Sequence, residues 1–570
     1  MFDPSSLSFF LFLVTFFFIF PAHQKTTMGT LDIKAVDTRP KASLFQILLG
    51  TLCMAGIQFT WTVELSYGTP YLLSLDLSKE LTACVWLAGP LSGLIVQPLV
   101  GAWSDKNESR QGRRRPFIIG GGALVCLSLL CVAYSKQIAA AATTDPDLRR
   151  STAIAVAVTA FYILDFSLNA VQASCRSLIL DIFPIFQQDT ANAFASNIQN
   201  ITNVFGYFIG FVDLVKYVPG LGHSQMEAYC TAGVIVFISA MAVTCLAVNE
   251  VPYQKTQDET SEPWYQVFLY VWRAFRQLQP SVQKLCNVIF FAWMGWFPFL
   301  FYSTTWVSSI YFDTHQDEDP EDSWDKGARA GSLAMLLYAI FAVISGTALP
   351  TLTANGFISL KNTYTLSHVI SATALLSTIF VRSVAGATAL LGLMGISFAC
   401  AMWIPFALVG EYLVVENKQN IEEAATEIVV DNPDGGTSGS NDDNTNRQRK
   451  TSNNNDINYG AISGASTTDE TTNEDSNQTK YDAGMVLGVL NIYVVLPQFL
   501  TAFLAAIIFA VMNRLHVDQD DDDIPNDNRR EDTAGVTAVL FFGGLMAVIA
   551  AILSRRIVDV QTKSKSIIVN

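Results

Sequence analysis

Residues 151–176 read STAIAVAVTAFYILDFSLNAVQASCR, and this stretch decides the fold class. A helix needs roughly 20 consecutive apolar residues to cross the hydrocarbon core of a bilayer, and 151–175 is long enough. The stretch contains a single acid, Asp165, and its first cation is Arg176 at the end. We therefore predict a membrane-spanning helix over 151–175, called span four below.

The same pattern recurs along the chain, which contains 51% hydrophobic and 15% charged residues. This composition excludes an ordinary soluble protein. We predict an all-α membrane protein with twelve transmembrane helices in two six-helix bundles, an arrangement typical of two-bundle transporters. The predicted spans are 42–66, 81–103, 116–139, 151–175, 191–215, 228–248, 285–310, 330–350, 367–385, 387–412, 484–512 and 534–555.

Two segments outside the spans have distinct compositions. Residues 413–480 contain 13 acids and five Lys or Arg with almost no aromatics, so we predict a disordered loop there. The apolar run 6–20 is short for a span and has no preceding Lys or Arg. We favour an inessential extension with Met28 as the working start, and a cleaved signal or an extra anchor are the alternatives.

These observations divide the chain into seven parts. The predicted parts are the N-terminal segment 1–41, the N-terminal six-helix bundle 42–249, the cytoplasmic connecting loop 250–284, the first four helices of the C-terminal bundle 285–412, the disordered cytoplasmic loop 413–483, the last two helices 484–556, and the cytoplasmic tail 557–570.

Orientation follows from the basic residues, because Lys and Arg are enriched in cytoplasmic loops. With both termini inside, the cytoplasmic segments hold 24 of the 35 basic residues. We therefore predict a multi-pass protein of the plasma membrane with cytoplasmic termini. The nine cysteines include no CxxC pair and the five histidines are scattered, so we predict no metal site and no cofactor other than a coupling ion. A membrane-embedded enzyme is disfavoured because the sequence offers neither a sizeable extramembrane catalytic region nor a clustered acid–metal site.

Span four carries a polar stripe. At 100° per residue, Asn169, Gln172 and Arg176 fall within about 40° of Asp165 around the helix. Such a stripe is costly against lipid, so it faces other helices or a water-filled cavity. A structural polar seam is the alternative interpretation. Because desolvation disfavours the charged form of a buried carboxyl, Asp165 is suited to bind and release a proton near neutrality, and we predict that it is the proton carrier.

Glu64 in span one is the second acid inside a predicted span. We predict that it shares the proton-coupling role, and a solvated position near the outer mouth is the equal alternative. Asp213 falls at a span end, where solvation is the default interpretation.

Span five carries a second polar stripe that includes Asn200 and Asn203, with Tyr207 one turn further on. This stripe is suited to hydrogen-bonding a polyol, although helix–helix hydrogen bonding is equally compatible. Tryptophan rings are candidate stacking partners for sugar rings, or interface and packing groups. The predicted substrate-binding residues are Gln58, Trp61, Asn169, Gln172, Arg176, Asn200, Asn203, Trp293, Trp296 and Asn491.

Several motifs together resemble a known superfamily. The stretch Gly101-Ala102-Trp103-Ser104-Asp105, followed by Gly112-Arg113-Arg114-Arg115-Pro116-Phe117-Ile118, is similar to the hinge between spans two and three of the major facilitator superfamily. The Arg-Arg-Arg-Pro-Phe form resembles, more narrowly, plant sucrose–proton symporters, fungal α-glucoside carriers and related animal sugar carriers. The stretches that agree in order are Asp165 to Arg176 with Asp181, Phe291 to Phe299, Pro405 to Leu408, and Gly488 to Asn491.

The resemblance covers residues 43–512 and implies proton-driven disaccharide uptake, with the span-four acid binding the proton and contacting the sugar. In this sequence that acid is Asp165, and Arg176 matches the basic residue that follows it. The resemblance also implies a gating role for the loop between spans two and three, with Gly101, Asp105, Gly112, Arg113 and Arg114 as the gating residues.

One departure concerns substrate preference. Plant members carry acids and an Arg after the Trp-Phe-Pro-Phe stretch, whereas this chain has Ser303-Thr304-Thr305-Trp306-Val307-Ser308-Ser309. This difference favours a fungal-type carrier of sucrose, maltose or similar glucosides. We thus expect a symporter with a small sugar and the bilayer as partners, no nucleic acid, and a functional monomer. The alternatives are a non-transporting sugar sensor that signals through the 413–483 loop, and a carrier of another glycoside.

Overall fold

A computed structural model describes residues 41–105, 107–184, 187–248, 250, 276, 278–315, 320–354, 356–430, 483–517 and 528–557. Within these residues all long elements are helices. The predicted N-terminal extension, most of the connecting loop and the C-terminal tail lie outside them.

The helices of the first half begin after Ser43 and end before Val248. They are α1 (Leu44–Thr51), α2 (Cys53–Ser74), α3 (Lys79–Val85), α4 (Ala88–Asp105), α5 (Arg115–Ala133), α6 (Ser135–Ala142), α7 (Pro146–Ile182), α8 (Gln188–Phe211), α9 (Leu214–Tyr217) and α10 (Gln225–Ala247).

The helices of the second half begin at Pro280. They are α11 (Pro280–Thr314), α12 (Pro320–Ala354), α13 (Leu360–Leu376), α14 (Val384–Val430), α15 (Ala483–Val517) and α16 (Asn528–Ser554), with a 3₁₀ turn at Ser377–Phe380.

Ten of the described helical segments are long and apolar enough to cross a membrane. This finding confirms an all-helical membrane protein and accounts for ten of the twelve predicted spans. The other two are α8, which carries the polar stripe of span five, and α13, which has 17 residues. Both segments are helical. They differ from the other ten because α13 is too short, and α8 is too polar, to meet the length and apolar content of those helices.

Local sequence explains where several helices begin. Ser43 and Gln46 form a reciprocal capping box at the start of α1, which satisfies two backbone N–H groups that the first turn leaves free. Asp145 caps α7, and Pro146 occupies its first position, where a missing N–H costs nothing. Helices that satisfy their own backbone groups are the expected solution in a bilayer, where water is absent.

Helix packing forms one compact unit from residues 38–404 and 488–558. In the first half α7 packs between α5 and α4, and α2 packs against α8 and α10. In the second half α11 packs along α16, and α16 also contacts α13. In the described part of the chain, the second unit consists of the helical stretches 405–430 and 483–487.

Helix α14 differs from the prediction at its end. The segment 413–483 is expected to be disordered, whereas the structure continues α14 without a break to Val430. The acidic stretch that begins at Glu416 contains good helix formers such as Glu, Ala, Lys and Gln, which explains the extension. Residues 431–482 lie outside the described part of the chain.

Candidate functional site

Two acids from different helices meet inside the first half. Glu64 on α2 is 3% exposed and Asp165 on α7 is 2% exposed. Their carboxyl groups lie close enough to hydrogen-bond to one another. The oxygens Glu64 Oε2 and Asp165 Oδ1 have no hydrogen-bond partner among the described residues. Because buried polar atoms are normally satisfied, these two oxygens make the carboxyl pair a candidate functional site.

Among the described residues, no positively charged side chain compensates this carboxyl pair. In the described part of the chain, the charged group that acts on each carboxyl is the other carboxyl. Two like charges at short range repel strongly in a medium of low dielectric constant. The pair is therefore suited to hold and release protons, and the structure excludes a solvated position for Glu64.

Asn169 lies one turn after Asp165 and is fully engaged by neighbouring groups. Its Nδ2 donates to Ser92 Oγ at 2.7 Å and to the Asp165 carbonyl at 3.0 Å. Its Oδ1 accepts from Gln97 Nε2 at 2.7 Å. These bonds tie α7 to α4 beside the carboxyl pair. The structure thus gives Asn169 a cross-linking role, and its predicted contact with substrate stays a prediction.

Glycines on α4 allow this close approach. A Cβ at Gly89 would lie 3.8 Å from Asp165 Oδ1, and a Cβ at Gly93 would lie 3.9 Å from Asn169 Oδ1. Bulkier side chains would extend into the space that the polar stripe of α7 occupies. Small residues at helix interfaces are common in membranes for this reason.

The stripe of α7 becomes more exposed along the helix. Asp165 and Asn169 are buried, Gln172 is half-buried and Arg176 is exposed. The four side chains share one face, as their spacing predicts. The structure therefore places a polar stripe along α7 from the carboxyl pair to Arg176.

The polar stripe of α8 is used partly for helix packing. Asn203 Oδ1 accepts hydrogen bonds from Gln58 Nε2 and Thr62 Oγ1, both at 3.2 Å, and both donors belong to α2. Asn200 is exposed. Of the predicted sugar-binding residues, Gln58 and Asn203 are thus brought together, whereas Asn200 is separate from that contact.

The predicted aromatic contacts occupy different environments. Trp61 and Trp293 are half-buried, and the Trp293 ring lies 5.3 Å from that of Phe297. Trp296 is buried, with its ring edge-on to those of Phe299 and Phe398. Trp293 therefore keeps part of its surface exposed, and Trp296 forms part of the packed interior. Asn491 on α15 is exposed.

The Arg-rich loop between α4 and α5 is held by two acids, Asp181 and Glu250. Arg113 and Arg114 both bind the carboxylate of Asp181 at the end of α7, at 2.5 and 2.9 Å. Arg114 also contacts Ser104 Oγ and the carbonyl of Gly101. These bonds connect the loop to α4 and α7 at once.

Glu250 completes this cluster and is the residue that sequence reasoning missed. Its carboxylate accepts from the backbone N–H groups of Arg114 and Arg115, at the start of α5. An anion at a helix N-terminus is stabilising because free N–H groups point at it. Its position directly after span six, on the same predicted side as the Arg-rich loop, is the signal that could have found it.

Gly112 allows the loop to turn beneath Glu250. Its φ of +110° lies in the region that side chains rarely adopt, and a Cβ there would overlap the Glu250 carboxylate. The predicted gating residues Gly101, Gly112, Arg113 and Arg114 are therefore assembled in one place. The side chain of Asp105 lies outside the described part.

The two halves contact each other at one end of the helices. Arg329 on α12 donates to Asp213 Oδ2 at 3.1 Å and to the Phe211 carbonyl at 2.9 Å. Asp213 is therefore paired with Arg329 while its side chain stays partly exposed. Trp86 stacks on Phe301 with ring centroids 4.2 Å apart.

Comparisons with solved structures agree with the fold. The chain is similar to a bacterial homologue of the human lysosomal transporter Spinster, with a TM-score of 0.52 and 12% identity over 90% of this chain and 95% of that one. It is also similar to a structure reported for proton-dependent oligopeptide transporters, with a TM-score of 0.53 and 10% identity over 91% of this chain and 100% of that one. The fold is that of the major facilitator transporters.

Sequence comparison is more specific. No family model matches the chain. It is 31% identical over 444 residues to the general alpha-glucoside permease of Schizosaccharomyces pombe, covering 65% of this chain and 80% of that protein. It is 33% identical over 331 residues to the sucrose transport protein SUT1 of Oryza sativa subsp. japonica, covering 54% of this chain and 61% of the rice protein. The chain belongs to the sucrose and α-glucoside symporter group of the major facilitator superfamily, so it is a membrane transporter and not an enzyme.

Proposed function

We propose that the protein is a proton-coupled symporter that imports a disaccharide, namely sucrose, maltose or a related α-glucoside. The observation that carries the proton coupling is the buried pair of Glu64 and Asp165 with an unpartnered oxygen on each side chain. A buried acid inside a membrane helix is a functional group by default, since its burial is otherwise only a cost. The names of the two relatives support the sugar substrate.

The proposed mechanism is alternating access, in which a site between the halves opens to one side at a time. Protonation removes the charge of Asp165 and favours sugar binding from outside. Release of that proton inside restores the charge and favours release of the sugar. Half-buried Trp293 and Trp61 supply apolar faces for sugar rings, and Gln172 supplies an amide.

We also propose that the protein acts as a monomer in the plasma membrane, with both termini in the cytoplasm. The excess of Lys and Arg in the predicted cytoplasmic loops supports this orientation. In that orientation, Arg113, Arg114 and Asp181 lie at the cytoplasmic surface, and the Asp213–Arg329 pair lies at the outer surface.

The test is uptake by purified protein in liposomes with an imposed pH gradient, acidic outside. We expect sucrose or maltose to accumulate above its external concentration, and a protonophore to abolish accumulation. A β-linked disaccharide such as lactose serves as the matched control for the α-glucoside preference. Equilibration without accumulation would contradict proton coupling, and no uptake of any glucoside would contradict the transport proposal.

Deletion of residues 413–483 separates a carrier from a sensor. We expect uptake to persist without this segment, because the proposed site lies on α2, α4, α7, α8 and α11. A protein that merely signals through the loop would show no uptake with or without it.

A further inference from the structure

We infer that Ser196 on α8 and Gly346 on α12 form an inner gate contact, which closes the cytoplasmic ends of these two helices when their outer ends separate. This inference rests on the alternating access and the orientation proposed above. It concerns residues that the proposed proton and sugar sites do not use.

The outer ends of α8 and α12 are in direct contact. A Cβ added at Gly210 on α8 would lie 3.0 Å from Ser332 Oγ on α12, so this glycine lets the two helices approach closely. Arg329 binds the Phe211 carbonyl and the Asp213 carboxylate, three residues before Ser332. Residue numbers therefore rise along α12 as they fall along α8, which means that the two helices run antiparallel.

The inner ends of the same two helices present exposed residues instead. Asn192 and Ser196 on α8 are exposed, as are Gly346 and Thr347 on α12. A Cβ added at Gly346 would lie 3.9 Å from Ala399, which belongs to the same half. Polar side chains within a membrane helix face water or another protein surface, because contact with lipid is costly. The inner ends are thus apart in this conformation, and their exposed polar groups suit a surface that closes in another.

The exposed residues lie on the helix faces that make the outer contact. Residues eighteen apart lie on one line of an ideal helix, because eighteen steps of about 100° make five full turns. Gly346 lies eighteen residues after Ala328, which is 2% exposed and packs in the core of the first half. Asn192 lies eighteen residues before Gly210. Each helix therefore continues its contact face to its inner end.

The antiparallel register pairs Ser196 with Gly346. From Gly210 opposite Ser332, a step of fourteen residues, about 21 Å along each helix, reaches Ser196 on α8 and Gly346 on α12. The outer contact places glycine on α8 against serine on α12, and the inner pair has the same two residue types exchanged. Small residues let membrane helices pack closely. When the inner ends close, Ser196 therefore packs against the backbone at Gly346.

Neighbouring polar groups are suited to hold the closed contact. Asn192 lies one turn before Ser196, and the same register places it beside exposed Thr351. The Thr351 hydroxyl donates to the Thr347 carbonyl at 3.1 Å, so its oxygen is still able to accept a hydrogen bond. In the closed contact the Asn192 amide donates to that oxygen.

Gly346→Leu tests the contact by filling it. A leucine at this position is compatible with the present conformation, where the position is exposed, but prevents the inner ends from closing. We expect the initial rate of sugar uptake in liposomes to fall by about tenfold or more. The melting temperature of the purified protein and its Kd for the transported sugar should stay at the wild-type values, because the present conformation is unchanged.

Ala348→Leu is the matched control. Ala348 is exposed as well, and it lies two residues further along α12, on nearly the opposite side of the helix. We expect this variant to take up sugar at the wild-type rate. An equal loss of uptake in Ala348→Leu and Gly346→Leu would overturn the inference.

A disulfide tests the proximity directly. In the double variant Ser196→Cys with Gly346→Cys, the two sulfurs meet when the inner ends close, at a separation that a disulfide spans. We expect copper phenanthroline in air to form the bond and stop uptake, and a reductant to restore uptake. Mass spectrometry of the digested protein identifies the bond. The pair Ser196→Cys with Ala348→Cys should stay unlinked, and the single variants control for the native cysteines.

Two further results would overturn the inference while leaving symport intact. One is an unlinked Ser196→Cys and Gly346→Cys pair in a double variant that still transports sugar. The other is wild-type uptake by Gly346→Leu. An absence of uptake by the wild type would instead contradict the proposed function itself.

Discussion

The interiors of the two halves differ in kind. Among the described residues, the first half buries four charged side chains, Glu64, Arg114, Asp165 and Glu227. The second half buries no Asp, Glu, Lys or Arg in the part that the structure describes. Its interior contains hydroxyl groups and a network of rings in which Trp296, Phe299, Tyr338 and Phe398 contact one another.

This difference separates two tasks. Buried charges in a bilayer are retained for function or as satisfied pairs, whereas aromatic packing gives rigidity without charge. We therefore assign proton coupling to the first half and apolar sugar contacts, through Trp293, to the second. Variants in each half should consequently fail in different ways.

The largest expected effect on stability is in the charged cluster of the first half. Asp181→Ala removes the shared partner of Arg113 and Arg114, and the Arg114 side chain is only 5% exposed. Leaving a buried charge unpaired destabilises by about 3 kcal/mol or more. We expect a clear fall in the melting temperature of the purified protein in detergent.

Asp147→Ala is the control on the same helix. Asp147 is exposed in the first turn of α7, where loss of a surface carboxylate costs little. If Asp181→Ala and Asp147→Ala melted at the same temperature, the buried cluster would not be holding the first half together.

A smaller effect is expected from packing in the second half. A Cβ at Gly395 on α14 would overlap the carbonyl of Tyr338 and lie 2.7 Å from the N of Ala342 on α12. Overpacking of this kind costs about 1 to 3 kcal/mol, so Gly395→Ala should lower the melting temperature. The dependence of uptake on the pH gradient should be unchanged in the folded fraction.

Gly346→Ala is the control for that substitution. It lies on α12, and its nearest neighbour to an added Cβ is the Ala399 side chain at 3.9 Å. We expect stability within about 0.5 kcal/mol of the wild type. A changed dependence of uptake on the pH gradient in Gly395→Ala would contradict the separation of tasks between the halves.

The smallest expected effect concerns sugar affinity. Trp293→Leu removes the half-buried ring that we propose as a sugar contact, and an aromatic contact contributes about 1 kcal/mol. We expect KM for the sugar to rise by roughly fivefold, with the pH profile unchanged. Substrate-concentration series at two external pH values measure both quantities. An altered pH profile with an unchanged KM would show that Trp293 acts in proton coupling and not in sugar binding.

Much of the fold is predictable from the sequence because apolar length and charge determine whether a helix spans a membrane. The twelve predicted spans all correspond to helical segments, although α8 and α13 are less apolar or shorter than the others. The helical extension to Val430 is not predictable from apolar content, because a segment with so little apolar surface is expected to be disordered.

The candidate site is predictable only in part. Helical periodicity places Asp165, Asn169, Gln172 and Arg176 on one face, and the structure agrees. Periodicity gives no information about which helix faces that stripe, so the contact between Asp165 and Glu64 and the Gln97–Asn169 bond required three-dimensional packing. The same reason explains why the pairing of Arg329 with Asp213 was missed, since the two residues belong to different halves.

The most direct test of the central claim, that proton coupling resides at Asp165 in the first half, is sugar uptake by Asp165→Asn in liposomes with and without a pH gradient. The amide cannot bind and release a proton, so we expect accumulation against a concentration gradient to be lost, leaving at most uptake that ignores the pH gradient. Uptake by Asp165→Asn that remained fully dependent on the proton gradient would contradict the account.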